Sequence, residues 1–172
     1  MKGLDIGISI GDEKLCILLY ADDIALMADN EHDLQLLLNA LSTWCDTNDM
    51  IVVCSKSNVV HFRPQSVQRT VFNVTCGTDT LAIVDKYTYL GIVINEYLDY
   101  NVTDKTVAHS ACRALGLLIA KCKTTVGLPY DAYTKLYDAV VCPVISHGAS
   151  IWGVKTYSCI NAAQYRAMRF FL

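Results

Sequence analysis

The side chains best suited to chemistry are two adjacent carboxylates, Asp22 and Asp23, in the run Tyr20-Ala21-Asp22-Asp23. They interrupt apolar sequence, with Leu15-Cys16-Ile17-Leu18-Leu19 before them and Ile24-Ala25-Leu26-Met27-Ala28 after them. Buried ionised groups must be paired or bound to metal, so this placement is costly unless the chain lifts the acids out. A strand–turn–strand hairpin does that: the apolar runs pair with each other and the turn carries both acids to one edge of a sheet. Adjacent side chains on a regular strand point to opposite faces, so the turn is what lets the two serve one site. Oxygen-only donors at such an edge suit Mg²⁺, which takes one or two protein carboxylates plus substrate phosphates. Aspartate is also an ordinary turn former, and the tetrapeptide alone leaves both readings open.

The neighbouring elements have to hold this turn in place. Leu4, Ile6, Ile8 and Ile10 alternate with smaller or polar residues, a half-buried strand. Gly11-Asp12 marks a turn into a strand over Lys14–Tyr20. After the second apolar run, Asn30-Glu31-His32-Asp33 starts a helix whose acidic first turn suits the macrodipole. Leu34, Leu37, Leu38, Leu41, Trp44 and Cys45 form its apolar stripe. Met50–Cys54 and Asn58–Arg63 read as short strands around Ser55-Lys56-Ser57, and Pro64–Arg69 as a loop. Thr70–Cys76 and Leu81–Val84 read as a hairpin about Gly77-Thr78-Asp79, followed by a β-rich run, Tyr87–Asn95. Residues 1–96 are thus expected to form an antiparallel-rich sheet with one packed helix.

From about Tyr97 the pattern turns helical, giving an α+β chain whose second part, 97–172, is a helical region. Ala108, Ala111, Cys112, Leu115, Ile119 and Cys122 recur at helical spacing, with Lys105, His109 and Arg113 off that stripe. Gly127-Leu128-Pro129 breaks the chain, and Tyr133, Leu136, Tyr137, Val140 and Val141 supply the next apolar face up to Pro143. A last helix, from about Asn161, still runs at Phe170-Phe171-Leu172, so the C-terminus reads as cut.

With 172 residues, 53% hydrophobic and 18% charged, the chain has material for a core and is not a disordered sequence. A net charge of −3 argues against a free-standing nucleic-acid binder, which is usually basic. The eight cysteines show no CxxC pair and mostly fall within apolar patterns, where free Cys acts as a small hydrophobe. With no signal-peptide pattern at Met1-Lys2-Gly3, they read as reduced thiols of an intracellular protein, cytoplasmic or nuclear and not secreted. On that reading the sequons at Asn73 and Asn101 are unused. No apolar run is long enough to span a membrane, and the four scattered histidines have no metal-ligand spacing.

In this order the pieces resemble the reverse transcriptase of non-LTR (LINE-type) retrotransposons. Leu18 through Leu26 is similar to the family's catalytic palm hairpin, with the alanine between Tyr and Asp that this branch usually carries. Ser55-Lys56-Ser57 running into Val59-Val60-His61-Phe62 is similar to the next palm motif. Tyr87-Thr88-Tyr89-Leu90-Gly91-Ile92 resembles the primer-grip segment, and Tyr133–Trp152, with Pro143 and Gly148-Ala149-Ser150-Ile151-Trp152, the helical region beyond it. The resemblance implies a partial palm sheet over 1–96 and a thumb-like region over 97–172. Two positions depart from it. Where the family commonly has Gly and then Asn before the lysine, this chain has Asp49 and Val53, which alters the helix exit and leaves the placement of Lys56 open.

The resemblance further implies DNA synthesis on an RNA template from a DNA primer and dNTPs, by a two-Mg²⁺ scheme in the intact enzyme. Asp22 is then the shared metal ligand, and Asp23 a second ligand or a support. Lys56 faces the departing pyrophosphate, although a solvated lysine in a polar turn gives the same pattern. Tyr89, Leu90 and Gly91 position the primer end through their backbone. Tyr20 stacks near that end, or is simply core. Lys105 and Arg113, with Lys121 and Lys123, reach duplex phosphates, or are a solvated helix face. The family's upstream palm aspartate has no counterpart in this chain, so a C-terminal fragment with weak or absent metal binding, inactive alone, is expected. The cut edges favour self-association. The alternative is a non-enzymatic retroelement remnant that serves as an interaction or scaffold protein.

Overall fold

The structure, a computed structural model, describes residues 6–125 and 129–171, with the backbone alone at Phe171. Leu4, Gly127, Leu128 and Leu172, which carry parts of the expected first strand, helix break and cut end, lie outside the described residues. Helices and small, mostly antiparallel two-stranded sheets make this an α+β chain. It divides into two units, one running to Tyr87 and one starting at Thr88.

In the first unit, β1 (Ile8–Ile10) and β2 (Glu13–Leu15) form an antiparallel hairpin about Gly11-Asp12. The strand expected over Lys14–Tyr20 is broken at Cys16, whose carbonyl instead accepts from the Met27 amide at 2.9 Å. β3 (Ile17–Tyr20) then pairs with β4 (Asp23–Leu26) in register from Ile17 with Leu26 to Tyr20 with Asp23. The helix α1 (Glu31–Thr47) starts where its cap requires: the Asn30 side chain accepts from the Asp33 amide at 2.9 Å. Leu37, Leu38, Leu41 and Cys45 of its stripe are buried, while Trp44 is half exposed. α1 ends in a Schellman-type closure, the Met50 amide reaching the Cys45 carbonyl at 2.9 Å with Asp49 at φ 53. Asp49 thus adopts the left-handed conformation that a glycine would take there, at a steric cost that glycine avoids.

The strand expected over Met50–Cys54 does not form. Ile51 and Val53 are exposed with no strand partner, and Cys54–Lys56 closes as one 3₁₀ turn into β5 (Asn58–Val60). β6 (Thr75–Cys76) and β7 (Asp79–Thr80) form the hairpin about Gly77-Thr78, extended by the Leu81 amide bonding to the Val74 carbonyl at 2.8 Å. β8 (Ala82–Val84) then leaves this hairpin and pairs with β5 in parallel, Asn58 opposite Ala82 and Val60 opposite Val84. That parallel pair stands among pairs that are otherwise antiparallel where their register is given, and it takes Ala82–Val84 out of the hairpin expected for Leu81–Val84. Its cause is the core of Leu38, Val74, Cys76 and Leu81, against which Val59 of β5 also packs. Gln35 locks α1 to β6 by bonding both the amide and the carbonyl of Thr75 at 2.9 Å.

The second unit begins inside β9 (Lys86–Tyr89), which turns at Leu90-Gly91 into β10 (Ile92–Asn95). α2 (Asn101–Thr124) buries Ala108, Ala111, Leu115 and Leu118. α3 (Tyr130–Val140) follows Pro129, α4 (Cys142–Ser146) takes Pro143 in its first turn, and α5 (Ala149–Trp152) and α6 (Ser158–Phe171) complete the unit. Tyr133 and Val141 join Ala111, Leu115, Leu118 and Ala167 in one core cluster, whereas Leu136 and Val140 on the expected apolar face are exposed. The Tyr133 hydroxyl donates to the Ala167 carbonyl at 3.0 Å, satisfying its polar end inside that core. Among the described residues no helix is long and apolar enough to cross a membrane.

Candidate functional site

Asp22 lies within the two-residue link between β3 and β4, and Asp23 is the first residue of β4, directly opposite Tyr20. Ala21 takes φ 52, a left-handed conformation that residues with a Cβ seldom adopt. Two-residue hairpin links need positive φ to match the strand twist, which is why the chain accepts it here. Both carboxylates are exposed, and neither takes part in a hydrogen bond or ion pair with a described residue. Tyr20 is 63% exposed and Leu19 67%, so the hairpin shows apolar surface beside its acids. As hard oxygen donors without a protein cation competing for them, the two carboxylates fit two ligand positions of a Mg²⁺ ion. Among the described residues no group of three or more His, Cys, Asp or Glu stands ready to complete a protein cage.

Lys56 closes the 3₁₀ turn before β5, and its carbonyl accepts from the Tyr87 hydroxyl at 3.1 Å. No hydrogen bond or ion pair joins its ammonium to Asp22, Asp23 or any other described residue. Cys54, two residues earlier, sits against the Cys76 carbonyl and fixes the other end of the turn in the core. Burial, with Cys54 beside it, pushes the Cys76 thiol up to about 11, so this sulfur is a packing atom rather than a nucleophile.

Leu90 and Gly91 form a second two-residue hairpin link, with Tyr89 as the last residue of β9 before it. Leu90 has φ 49 and Gly91 φ 81, the pair of positive values that a type I′ turn demands. The Leu90 carbonyl is met at 3.0 Å by Nε2 of His147. Reading the four histidines as scattered missed this contact; the available signal was the position of His147 directly before the Gly148–Trp152 motif. Lys105 and Arg113 are both exposed on α2, with Arg113 Nη2 donating to Ser110 Oγ at 3.2 Å. Beside Lys105, Asp104 is buried, its Oδ2 accepting from the Cys159 thiol at 3.0 Å. Burial is the main cause that raises the pKa of that thiol, and the Asp104 carboxylate adds to it.

Residues 5–94, more than half of the chain, match the family described as reverse transcriptase (RNA-dependent DNA polymerase). The chain is also similar to a transposon-derived protein of Caenorhabditis elegans, 26% identical over 145 residues. That match covers 83% of this chain and 50% of the relative, so the chain spans about half the length of the curated relative. No solved structure matches it. The matched stretch encloses Tyr20, Asp22, Asp23, Lys56 and the Tyr89-Leu90-Gly91 turn. With the family's model matched over more than half of its length, the chain belongs to the reverse transcriptase (RNA-dependent DNA polymerase) family.

Proposed function

We propose that this chain is part of the RNA-directed DNA polymerase of a non-LTR (LINE-type) retrotransposon. Residues 1–96 contribute palm and residues 97–172 a thumb-like helical region. The observation that carries the reading is the Ala21-Asp22 link, which presents two carboxylates free of described partners inside the stretch matched to the family. In this reading Asp22 is the principal metal ligand and Asp23 its support. Mg²⁺ held there would activate the primer 3′-hydroxyl and neutralise the triphosphate. Lys56 offsets charge on the departing pyrophosphate, and the Tyr89-Leu90-Gly91 backbone holds the primer end. Tyr20 packs near that end, and Lys105 and Arg113 contact duplex phosphates. RNA template, DNA primer and dNTPs are the partners, and the eight unpaired thiols suit a reducing, intracellular setting.

Phosphoryl transfer depends on positioning and charge stabilisation, and a two-metal site needs more than two acids. The 172-residue chain alone therefore holds Mg²⁺ weakly and does not extend a primer. The exposed Leu18, Leu19, Tyr20 and Ile24 of the β3–β4 hairpin favour self-association of the isolated chain. The test is RNA-templated primer extension by a protein carrying this segment with its native flanking coding sequence. Extension that Asp22→Asn abolishes supports the reading. Full extension by Asp22→Asn contradicts it, and robust extension by residues 1–172 alone contradicts the incompleteness of the site.

A further inference from the structure

The corner at His147-Gly148 takes no part in the chemistry proposed above, yet it meets the Leu90-Gly91 turn directly. His147 Nε2 lies 3.0 Å from the Leu90 carbonyl oxygen. A carbonyl only accepts, so this nitrogen carries the proton in the contact. A Cβ built at position 91 would fall 3.1 Å from the same Nε2, so the glycine that the turn needs for its φ also makes room for the imidazole. Gly148 has φ 62, and a Cβ there would fall 2.3 Å from Ile92 Cδ1, in the strand leaving the turn.

The other side of the corner is fixed to the core. The His147 carbonyl accepts from the Trp152 indole at 2.8 Å, and the Trp152 carbonyl accepts from the Tyr157 hydroxyl at 2.9 Å. Trp152 and Tyr157 are buried with Ile92, Ala108 and Ile160. A chain of contacts therefore runs from that core through His147 to a single backbone carbonyl of the turn. A groove of about 380 Å³, bordered by Gly91, Thr106, Ser110 and His147, lies beside the turn and leaves it reachable.

We infer that His147 is a positioning residue, whose imidazole holds the Leu90 carbonyl and so sets the conformation in which the turn meets a primer end. The inference rests on the reading of Tyr89-Leu90-Gly91 as the primer grip. Its test uses the 172-residue chain as wild type, His147→Ala, His147→Gln and Gly91→Ala, the last of which strains the turn's own backbone at φ 81. Residue-resolved amide hydrogen exchange reads the turn, and binding of a fluorescent RNA–DNA primer–template duplex reads the grip. His147→Ala should speed exchange at Gly91 and Ile92 about five-fold, the worth of one ordinary hydrogen bond, with α2 and α6 unchanged. It should weaken duplex binding by a similar factor, and His147→Gln, which keeps an N–H donor, should recover both.

Unchanged exchange at the turn in His147→Ala overturns the inference whatever the turn does. Faster exchange with unchanged duplex affinity, while Gly91→Ala weakens binding, overturns the role of His147 and leaves the grip reading standing. Duplex binding that is absent, or indifferent to Gly91→Ala, removes the grip reading and this role with it.

Discussion

The two tight turns of this chain follow one backbone rule and are supported in opposite ways. Each links two strands through two residues, and each puts a residue with a side chain first at positive φ, Ala21 at 52° and Leu90 at 49°. The Leu90-Gly91 turn is tied through its carbonyl to His147 and backed by buried Ile92. Among the described residues the Ala21-Asp22 turn has no such tie, and its strands leave Leu18, Leu19, Tyr20 and Ile24 exposed. In the proposed reading the first turn leaves its carboxylate oxygens open to an ion, whereas the second is braced because it offers the shape of its backbone.

The largest expected effect breaks the first turn. Asp22→Asn should reduce primer extension by the longer polymerase on the order of 10²–10³-fold or more, the scale for removing a charge-stabilising group. Asp23→Asn should cost less, and steady-state extension rates for the two variants would measure the ranking. Next is the brace of the second turn. Gly148→Ala places a side chain at φ 62 against Ile92 and should cost about 1–3 kcal/mol. Urea unfolding followed by tryptophan fluorescence would read it, since Trp152 is buried.

A third prediction concerns pH. The Cys76 thiol is raised from 9.0 to about 11 by burial, so below pH 9 it is neutral folded or unfolded and its contribution is fully present. Between pH 9 and 11 the unfolded chain loses this proton while the folded chain keeps it, so stability falls across that window, on the order of 1–2 kcal/mol. Cys76→Val should flatten the first unit's share of the fall. The raised Tyr133, Tyr137, Tyr157, Cys142 and Cys159 give the second unit a loss of the same sign at alkaline pH. The smallest effect belongs to the first turn. Ala21→Gly relieves the left-handed strain and should raise stability by about 0.5 kcal/mol after the entropy that glycine adds to the unfolded chain, read by urea unfolding.

Local signals made much of this legible. Asn30 capping α1, the Leu37–Leu38–Leu41 stripe and the apolar runs around Asp22 each depend on neighbours a few residues away. The pairing of β8 with β5 was not legible, because Asn58 and Ala82 meet across a long loop and the choice is made by the core of Leu38, Val74 and Leu81. The break at Cys16 escaped for a similar reason, since an apolar run carries no mark of where its hydrogen bonds change partner. Asp22, Asp23 and Gly91 stood out by type and spacing. His147 did not, because its importance lies in a contact 57 residues away.

The proposed polymerase role requires that the exposed Ala21-Asp22 turn bind metal. Paramagnetic Mn²⁺ titrated into the isotope-labelled 172-residue chain tests it most directly, because relaxation broadening detects even weak sites. Broadening at millimolar Mn²⁺ should be confined to the amides around residues 20–24 and be lost in Asp22→Asn. Broadening elsewhere with the turn unaffected, or turn broadening that survives in an Asp22→Asn, Asp23→Asn double variant, would contradict it.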